Sequence, residues 1–367
     1  MLTFMSVAFF IYGCMHLYAF GKVWLAFPHS FGLALALTLA GIVLTFSPLI
    51  VWYMERQSWH GATVVTAWAS YIWMGFLFLF FCIGLAFDLG HVLAALLHFK
   101  WPSESMMLGT AGLLALAALG YGSIEARQLK VEEIRIATPK LASGRITLAQ
   151  ISDLHLGIMM GDALLDRVIA KLREIKPDIV VATGDIVDAQ GDNLDELARH
   201  FQTYTPRLGA YAVTGNHEYY VGLENSLRFL RSAGFTVLRG ESAAAGGIIL
   251  AGVDDPSVRT PDQQAGLDTR KALASVTAND FIVLLKHQPV IDSNTPFDLQ
   301  LSGHIHGGQI FPFVYLTRLT YGVHTGLTEL ADGRKLYVSR GAGTWGPPIR
   351  LFAPPEITLI TIASTNK

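Results

Sequence analysis

The chain has 367 residues, of which 51% are hydrophobic and only 15% are charged, and its formal net charge is −2. This composition excludes a disordered or collagen-like chain, and the lack of a basic excess argues against a nucleic-acid partner. Residues 1–121 contain only six charged side chains. The uneven distribution of charge predicts a membrane region followed by a water-soluble region.

Four segments of the first region contain no Asp, Glu, Lys or Arg, and each has at least the roughly 20 residues that a membrane-spanning helix requires. They are residues 1–21, 23–54, 57–87 and 105–124. We therefore predict a multi-pass region of four transmembrane helices over residues 1–124. A cleaved signal peptide is the alternative for the first segment, but no basic residue precedes it and three more apolar segments follow.

Ionisable residues inside membrane spans are candidates for function by default. Here His16 lies in the first segment, and Asp88, His91 and His98 lie at one end of the third. We expect that end to reach the lipid headgroups, with no charged partner in the other helices. A transporter or proton relay is therefore the weaker interpretation.

An even number of spans places the amino terminus and the soluble half on the same side of the membrane. Only Lys22 and Lys100 are basic on the opposite side, whereas the basic residues on the shared side include Arg56, Arg127, Lys130, Arg135 and Lys140. The positive-inside rule then predicts that the soluble half is cytoplasmic.

The soluble half alternates short β-rich segments with helical patterns, which is typical of an α/β domain. Residues 125–144 are expected to form a polar connector before a domain over residues 145–367. The predicted strands are 145–152, 178–183, 210–214, 281–286 and 299–302, and the predicted helices are 163–175, 194–204 and 223–233.

Polar residues that can bind metals follow each of these five strands. In chain order they are Asp153 and His155, Asp185, Asn216 and His217, His287, and finally His304 and His306. Open α/β sheets place their sites at the carboxyl ends of strands, so these side chains should share one edge. Oxygen and imidazole ligands, with no cysteine after Cys82, suit divalent Mn, Fe or Zn.

The spacing within these motifs has a physical basis. In an extended chain, residues two apart point to the same side, so Asp153 and His155 can approach one ion together. The same applies to His304 and His306. A glycine precedes Asp185, Asn216 and His304, where it permits a sharp turn and a close approach of the backbone.

The order D-x-H, G-D, G-N-H-E, a single His and G-H-x-H resembles the calcineurin-like metallophosphoesterase superfamily, from residue 145 to about residue 362. The segments ISDLHLG at 151–157, TGNHEYY at 214–220, GHIHGGQ at 303–309 and the stretch 339–359 are similar to its branch of bacterial membrane-associated phosphodiesterases. Relatives in that branch include the pyrophosphate hydrolase of UDP-2,3-diacylglucosamine. The resemblance implies a four-layer α/β/β/α sandwich and a location in the bacterial inner membrane.

The resemblance also implies two divalent cations, with Mn favoured and Fe, Zn or Mg as alternatives. One ion would be held by Asp153, His155, Asp185 and His306, and the other by Asp185, Asn216, His287 and His304, so that Asp185 bridges them. His217 is assigned to phosphate stabilisation or protonation of the leaving group. The alternative for His217 is a supporting role beside Asn216.

The resulting hypothesis is a membrane-anchored phosphoesterase that hydrolyses a phosphodiester or pyrophosphate, with a lipid-linked molecule as the favoured substrate. The alternatives are a broad phosphodiesterase or phosphatase for soluble nucleotides, and a membrane sensor or scaffold with an esterase-like domain. Residues 310–315 (IFPFVY) are either core or a wall for an acyl chain. The glycine pattern at 341–346 is expected to be a loop rather than a dinucleotide site, because Pro347 and Pro348 follow it.

Overall fold

The computed structural model describes residues 2–57, 59–188, 194–257 and 266–366. It divides into two compact units. The first comprises Met1–Ile124 together with Gly346–Ile349, and the second comprises Glu125–Trp345 and Arg350–Lys367.

The first unit consists mainly of four helices. They are α1 (Leu2–Ala26), α2 (Phe31–Arg56), α3 (His60–Leu96) and α4 (Glu104–Glu125). All four are long and apolar enough to cross a membrane, which confirms the expected four spans. At 37 residues, α3 is much longer than the roughly 20 residues that a span requires.

The expectation that Asp88 has no charged partner in the other helices is wrong. The Lys22 amine of α1 lies 2.5 Å from Asp88 Oδ1 in α3, and the Tyr18 hydroxyl donates to Asp88 Oδ2 at 2.6 Å. Tyr18 and Lys22 are four residues apart, so both lie on the same side of α1. The sequence did not reveal the pair because it depends on how α1 and α3 approach each other.

His16 is buried inside the helical unit, and both of its ring nitrogens have partners. The Trp73 indole donates to Nε2 at 2.9 Å, and Nδ1 lies 3.0 Å from the Tyr12 carbonyl oxygen. An accepted hydrogen bond at Nε2 leaves the proton on Nδ1, so the ring is neutral and satisfied. His16 is therefore a structural contact between α1 and α3.

The second unit contains two six-stranded sheets. The first has the order β1-β12-β2-β3-β4-β5, and the second has the order β10-β11-β9-β8-β7-β6. The strands are β1 (Lys130–Thr138), β2 (Arg145–Ile151), β3 (Ile179–Thr183), β4 (Ala210–Val213), β5 (Phe235–Val237), β6 (Glu241–Ala245), β7 (Ile248–Gly252), β8 (Ile282–Leu285), β9 (Leu299–Ser302), β10 (Gly326–Glu329), β11 (Lys335–Val338) and β12 (Glu356–Ser364).

Among the described residues, six helices accompany these sheets: α5 (Asp162–Ile175), α6 (Leu194–Phe201), α7 (Asn216–Val221), α8 (Leu223–Ser232), α9 (Thr269–Ala272) and α10 (Val314–Tyr321). Alternate residues of β2 show how the layers pack. Ile146 and Leu148 enter the core between the two sheets, whereas Ala149 and Ile151 enter the core beneath α5, α6 and α8. Helix α9 packs on the outer side of the second sheet. This is the predicted α/β/β/α sandwich, and all five predicted strands are present.

The interpretation of residues 125–144 as a connector needs correction, because this segment contains β1. The strand pairs in parallel with β12, in a register that aligns Lys130 with Glu356. As an edge strand, β1 is hydrogen-bonded on one side only, and four of its nine residues are charged, namely Lys130, Glu132, Glu133 and Arg135. Such a pattern resembles a polar linker in sequence.

The direction of the strands positions the site. Strands β2, β3 and β4 run parallel to one another in the first sheet, and β8 and β9 run parallel in the second. Parallel strands present their carboxyl ends at one edge. The loops that carry the candidate ligands therefore leave each sheet from the same edge.

Candidate metal centre

The structure brings the predicted ligands together in three overlapping groups. Within each group, one ligand atom per residue lies within 4.8 Å of the others. The groups are Asp153 with His155 and His306, Asp185 with His287 and His304, and His155 with Asp185 and His217. Among the described residues, each of the first two groups contains three of the four ligands that the resemblance implied for one ion.

Asp185 belongs to the second group and also approaches His155 of the first group. Its Oδ2 atom is 3.1 Å from His287 Nε2 and 3.9 Å from His155 Nε2. Its other oxygen accepts the backbone N–H of His217 at 2.9 Å. This hydrogen bond fixes the carboxylate, so that one oxygen faces imidazoles of both groups.

The imidazole nitrogens converge closely. His155 Nε2 lies 3.1 Å from His306 Nε2, which is 3.3 Å from Asp153 Oδ1. In the other group, His287 Nε2 lies 3.1 Å from His304 Nδ1. Converging lone pairs of this kind suit a shared cation.

The backbone conformation of this edge is unusual. Five candidate ligands have positive φ angles, which non-glycine residues seldom adopt. They are Asp153 (53°), His155 (49°), Asp185 (52°), His304 (73°) and His306 (50°). Strained residues clustered at one place indicate a functional site that the surrounding structure holds in position.

The glycines before the ligands serve two different purposes. Gly184 has a φ of +91°, and an added Cβ there would lie 2.7 Å from the Gly215 nitrogen. Gly303 does not have a positive φ, but an added Cβ would clash with Ser152 and Asp153. The predicted sharp turn therefore holds for Gly184, whereas Gly303 is required for space.

The residues present fit a metal site. No described residue makes a hydrogen bond to Asn216 Oδ1, although this atom is buried. His287 Nδ1 donates to the Thr183 carbonyl at 2.7 Å, which leaves Nε2 available as a ligand. Burial lowers the pKa of His304 to about 3, so His304 is in the neutral form that binds metals.

His217 is paired with a carboxylate that the sequence analysis missed. Its Nδ1 atom lies 2.6 Å from Asp188 Oδ1. Burial favours the neutral ring, but the charges of Asp188 and Asp185 outweigh it and raise the pKa of His217 to about 9. The signal in the sequence was an aspartate three residues after Asp185, but only the fold shows that it meets His217.

Glu218 fixes the loops that carry three of the candidate residues. Its buried carboxylate accepts hydrogen bonds from the backbone N–H groups of Asp185, Ile186, Val187 and Gly215, at 2.6–3.2 Å. The loop after β3 is thereby joined to the amino terminus of α7. The sequence analysis quoted Glu218 within its motif but assigned it no role.

Two further residues contact the candidate ligands. The Tyr321 hydroxyl of α10 lies 2.6 Å from His304 Nε2. Arg350 is fully buried and donates to the carbonyl oxygens of Gly343, Ala353 and His306. The loop that contains Gly343 lies beside the site, since the Gly343 N–H donates to the Asp153 carbonyl at 2.9 Å.

Residues 310–315 are mostly not core. Ile310 is buried, but Phe311, Phe313 and Tyr315 are 41%, 45% and 60% exposed. The segment follows the short 3-10 turn His306–Gly308, so these exposed rings come directly after a candidate ligand.

The chain is similar to a known family and to several known proteins. Residues 146–308 match the family model for the calcineurin-like phosphoesterase. The chain is 42% identical to an uncharacterized metallophosphoesterase of Aquifex aeolicus, over 68% of this chain and 97% of the relative. It is 33% identical to a transmembrane protein with metallophosphoesterase domain of Danio rerio, over 78% and 70% of the two chains. A dimetal phosphatase structure from Danio rerio covers 54% of this chain and 88% of its own, with a TM-score of 0.38 and 14% identity.

Replacing Glu218 tests its role in holding the two loops. Glu218→Gln substitutes an amide donor for one acceptor oxygen, so at least one buried backbone N–H loses its partner. We expect the free energy of unfolding to fall by about 2–4 kcal/mol and the bound metal to decrease, measured by chemical denaturation and elemental analysis. Glu224→Gln, at an exposed position in α8, is the control and should change neither. Equal stability and metal content in both variants would contradict the role of Glu218.

Proposed function

The chain belongs to the calcineurin-like phosphoesterase family and is a metal-dependent phosphoester hydrolase, and we propose that it cleaves a phosphodiester or pyrophosphate bond in a lipid-linked substrate. The observation that carries this proposal is the convergence of ligands from five strand ends beside exposed aromatic side chains, in a chain with four candidate membrane helices. We also propose that the enzyme lies in a bacterial inner membrane with its catalytic unit in the cytoplasm, on the strength of the basic residues that follow α4.

The ligand sets that we propose follow the observed groups. One divalent cation is held by Asp153, His155, Asp185 and His306, and the other by Asp185, Asn216, His287 and His304. The central position of Asp185 supports a bridging role, and the unpartnered Asn216 oxygen supports its role as a neutral ligand. Mn is our first candidate because the donors are oxygen and imidazole.

When bound, the two cations supply Lewis-acid chemistry, which activates a water and neutralises charge on the phosphoryl oxygens. The contribution of the protein is to hold the ligands before substrate arrives. Glu218 fixes the loop of Asp185, and Thr183 fixes the ring of His287. This preorganisation removes the cost of arranging the ligands during the reaction.

His217 is suited to protonate the leaving group. Asp188 accepts from its Nδ1 atom, which directs the proton on Nε2 away from the carboxylate. Without bound cations, the charges of Asp188 and Asp185 raise the pKa of His217 to about 9. The charge of bound cations opposes this rise in pKa. The half-exposed rings of Tyr220 and Trp345 both contact the His217 ring, at centroid distances of 5.2 and 5.8 Å.

A phosphodiesterase for soluble nucleotides is the second candidate. The rings of Tyr220 and Trp345 favour it, because exposed aromatic rings beside a phosphoryl site can stack on a nucleobase. These rings could also stack on the base of a nucleotide-linked lipid, so they do not distinguish a soluble nucleotide substrate from a lipid-linked one. The four membrane helices and the exposed Phe311 and Phe313 favour the lipid.

The first prediction concerns the bridging carboxylate. Asp185→Ala should lower kcat by about 10³-fold or more, because it removes a ligand from both ions. Metal bound per chain should also fall, as measured by elemental analysis. Asp162→Ala in α5 is a matched aspartate control that should retain activity. Full turnover by metal-stripped Asp185→Ala protein would refute the mechanism.

The second prediction separates proton donation from metal binding. His217→Ala should lower kcat by about 10²–10⁴-fold for an alkyl phosphodiester, the range for a positioned proton donor, with metal content unchanged. The loss should be smaller for a p-nitrophenyl ester, because that leaving group departs without protonation. Asp188→Asn should also lower kcat for the alkyl phosphodiester, but by a smaller factor. Loss of an ion from His217→Ala protein would instead make His217 a ligand, as its proximity to His155 and Asp185 allows.

The third prediction concerns the lipid. Full-length enzyme in vesicles should show a kcat/KM at least about tenfold higher for a lipid-linked pyrophosphate than for the same headgroup without acyl chains, because binding of the chains contributes to catalysis. The deacylated compound is the matched control, since it has the same scissile bond. Equal efficiency on both compounds, with high activity on soluble nucleotides, would favour the second candidate.

A further inference from the structure

Helix α10 exposes apolar residues on the side that faces away from the catalytic unit. At 100° per residue, Tyr315, Leu316 and Leu319 share one side of the helix, and they are 60%, 51% and 83% exposed. The opposite side, which is half-buried, carries Val314, Thr317 and Tyr321. In a helix on a water-soluble domain the outward side is normally polar, so α10 has the pattern of a helix with a second apolar environment.

Two phenylalanines extend this exposed side. The Phe311 ring lies 5.8 Å from the Tyr315 ring and 5.9 Å from the Phe352 ring. Phe352 is 71% exposed and has a φ of +59°. Exposure of a large apolar ring to water is unfavourable. A left-handed backbone is also unfavourable for a residue other than glycine, for steric reasons. We name the five residues Phe311, Tyr315, Leu316, Leu319 and Phe352 the apolar face.

Hydrogen bonds connect the apolar face to Glu125, the first residue of the second unit. Glu125 is the final residue of α4, and its buried carboxylate accepts the backbone N–H groups of Phe352 and Ala353 at 3.2 and 2.8 Å. The Phe311 N–H in turn donates to the Leu351 carbonyl at 3.1 Å. Glu125 therefore holds the segment of Phe352 at the point where the chain leaves a candidate membrane span.

We propose that the apolar face docks on the lipid bilayer in which α1 to α4 are embedded. The occupant is the headgroup and upper acyl region, which accepts aromatic and aliphatic side chains together. Arg318 is exposed on the same helix, next to Leu319, where a long basic side chain can contact lipid phosphates. Docking removes the apolar face from water and gives α10 an apolar contact on both sides.

Docking of the apolar face would also set the distance between the metal centre and the membrane. Tyr321, on the inner side of α10, contacts His304 at 2.6 Å. An α-helix with its side chains is about 10–12 Å across. Docking therefore holds the candidate metal ligands about one helix diameter from the lipid headgroups. This inference concerns the membrane contact of the catalytic unit and does not require a lipid substrate.

A fluorescent label on the apolar face tests the docking. The chain has only two cysteines, Cys14 and Cys82, which are replaced by alanine. Leu319→Cys is then labelled with bimane in the full-length protein and reconstituted in phosphatidylcholine–phosphatidylglycerol vesicles. We expect nitroxide lipids labelled near the headgroup to quench position 319 several-fold more than a control label at Glu174→Cys, a largely exposed position of α5. Aqueous iodide should show the reverse order.

The quenching and activity measurements can give three results that bear on the docking proposal. Equal quenching of positions 319 and 174 by nitroxide lipid would overturn the proposal. Protection of position 319 from iodide that disappears when the protein is diluted with lipid would identify a second copy of the chain as the occupant and would also overturn it. Hydrolysis of a small chromogenic phosphodiester by each labelled protein verifies the fold. Docking with no preference for lipid-linked substrates would leave this inference standing while contradicting the proposed substrate.

Discussion

The catalytic edge depends on one buried carboxylate, that of Glu218. Parallel strands bring the loops after β3 and β4 to the same edge, but strand direction alone does not fix how far apart the loops lie. Four backbone N–H groups converge on Glu218, from both loops. Because these donors include the N–H of Asp185 and that of Gly215, the carboxylate sets the spacing between the candidate bridging residue and Asn216. The left-handed conformation of Asp185 is tolerable only in such an over-determined loop.

The sequence predicted that the candidate ligands converge, because each follows a buried strand, and the end of a strand in an open α/β sheet has a defined position. It did not predict Asp188 or Tyr321 as partners of His217 and His304, because these contacts join different elements and no spacing encodes them. The same reason explains the Lys22–Asp88 pair, which depends on the approach of α1 and α3. Strand β1 was missed because an edge strand with charged residues lacks a clear apolar pattern.

The charged pair and the polar contacts of the helical unit have a physical role in the membrane. An isolated Asp or Lys is costly in a bilayer, whereas paired charges with a hydroxyl donor offset much of that cost. Lys22, Asp88 and Tyr18 form such a set, and His16 is satisfied by Trp73 and Tyr12. Hydrogen bonds between helices contribute to association where the hydrophobic effect cannot, because lipid is as apolar as the side chains. These contacts explain how an apolar region of this length can specify one helix arrangement.

Under the docking that we propose, helix α10 lies between the membrane and the candidate metal ligands. If the outer side meets the bilayer, the candidate ligands lie about one helix diameter, roughly 10–12 Å, from the headgroups. A phosphorus atom attached directly to glycerol lies close to the acyl chains and would have to rise out of the bilayer to reach His304. A phosphorus separated from the chains by a sugar or a second phosphate spans that distance while its acyl chains stay in lipid. The docking and the lipid-linked substrate that we propose therefore agree best for a lipid with a large headgroup, and less well for a simple phospholipid.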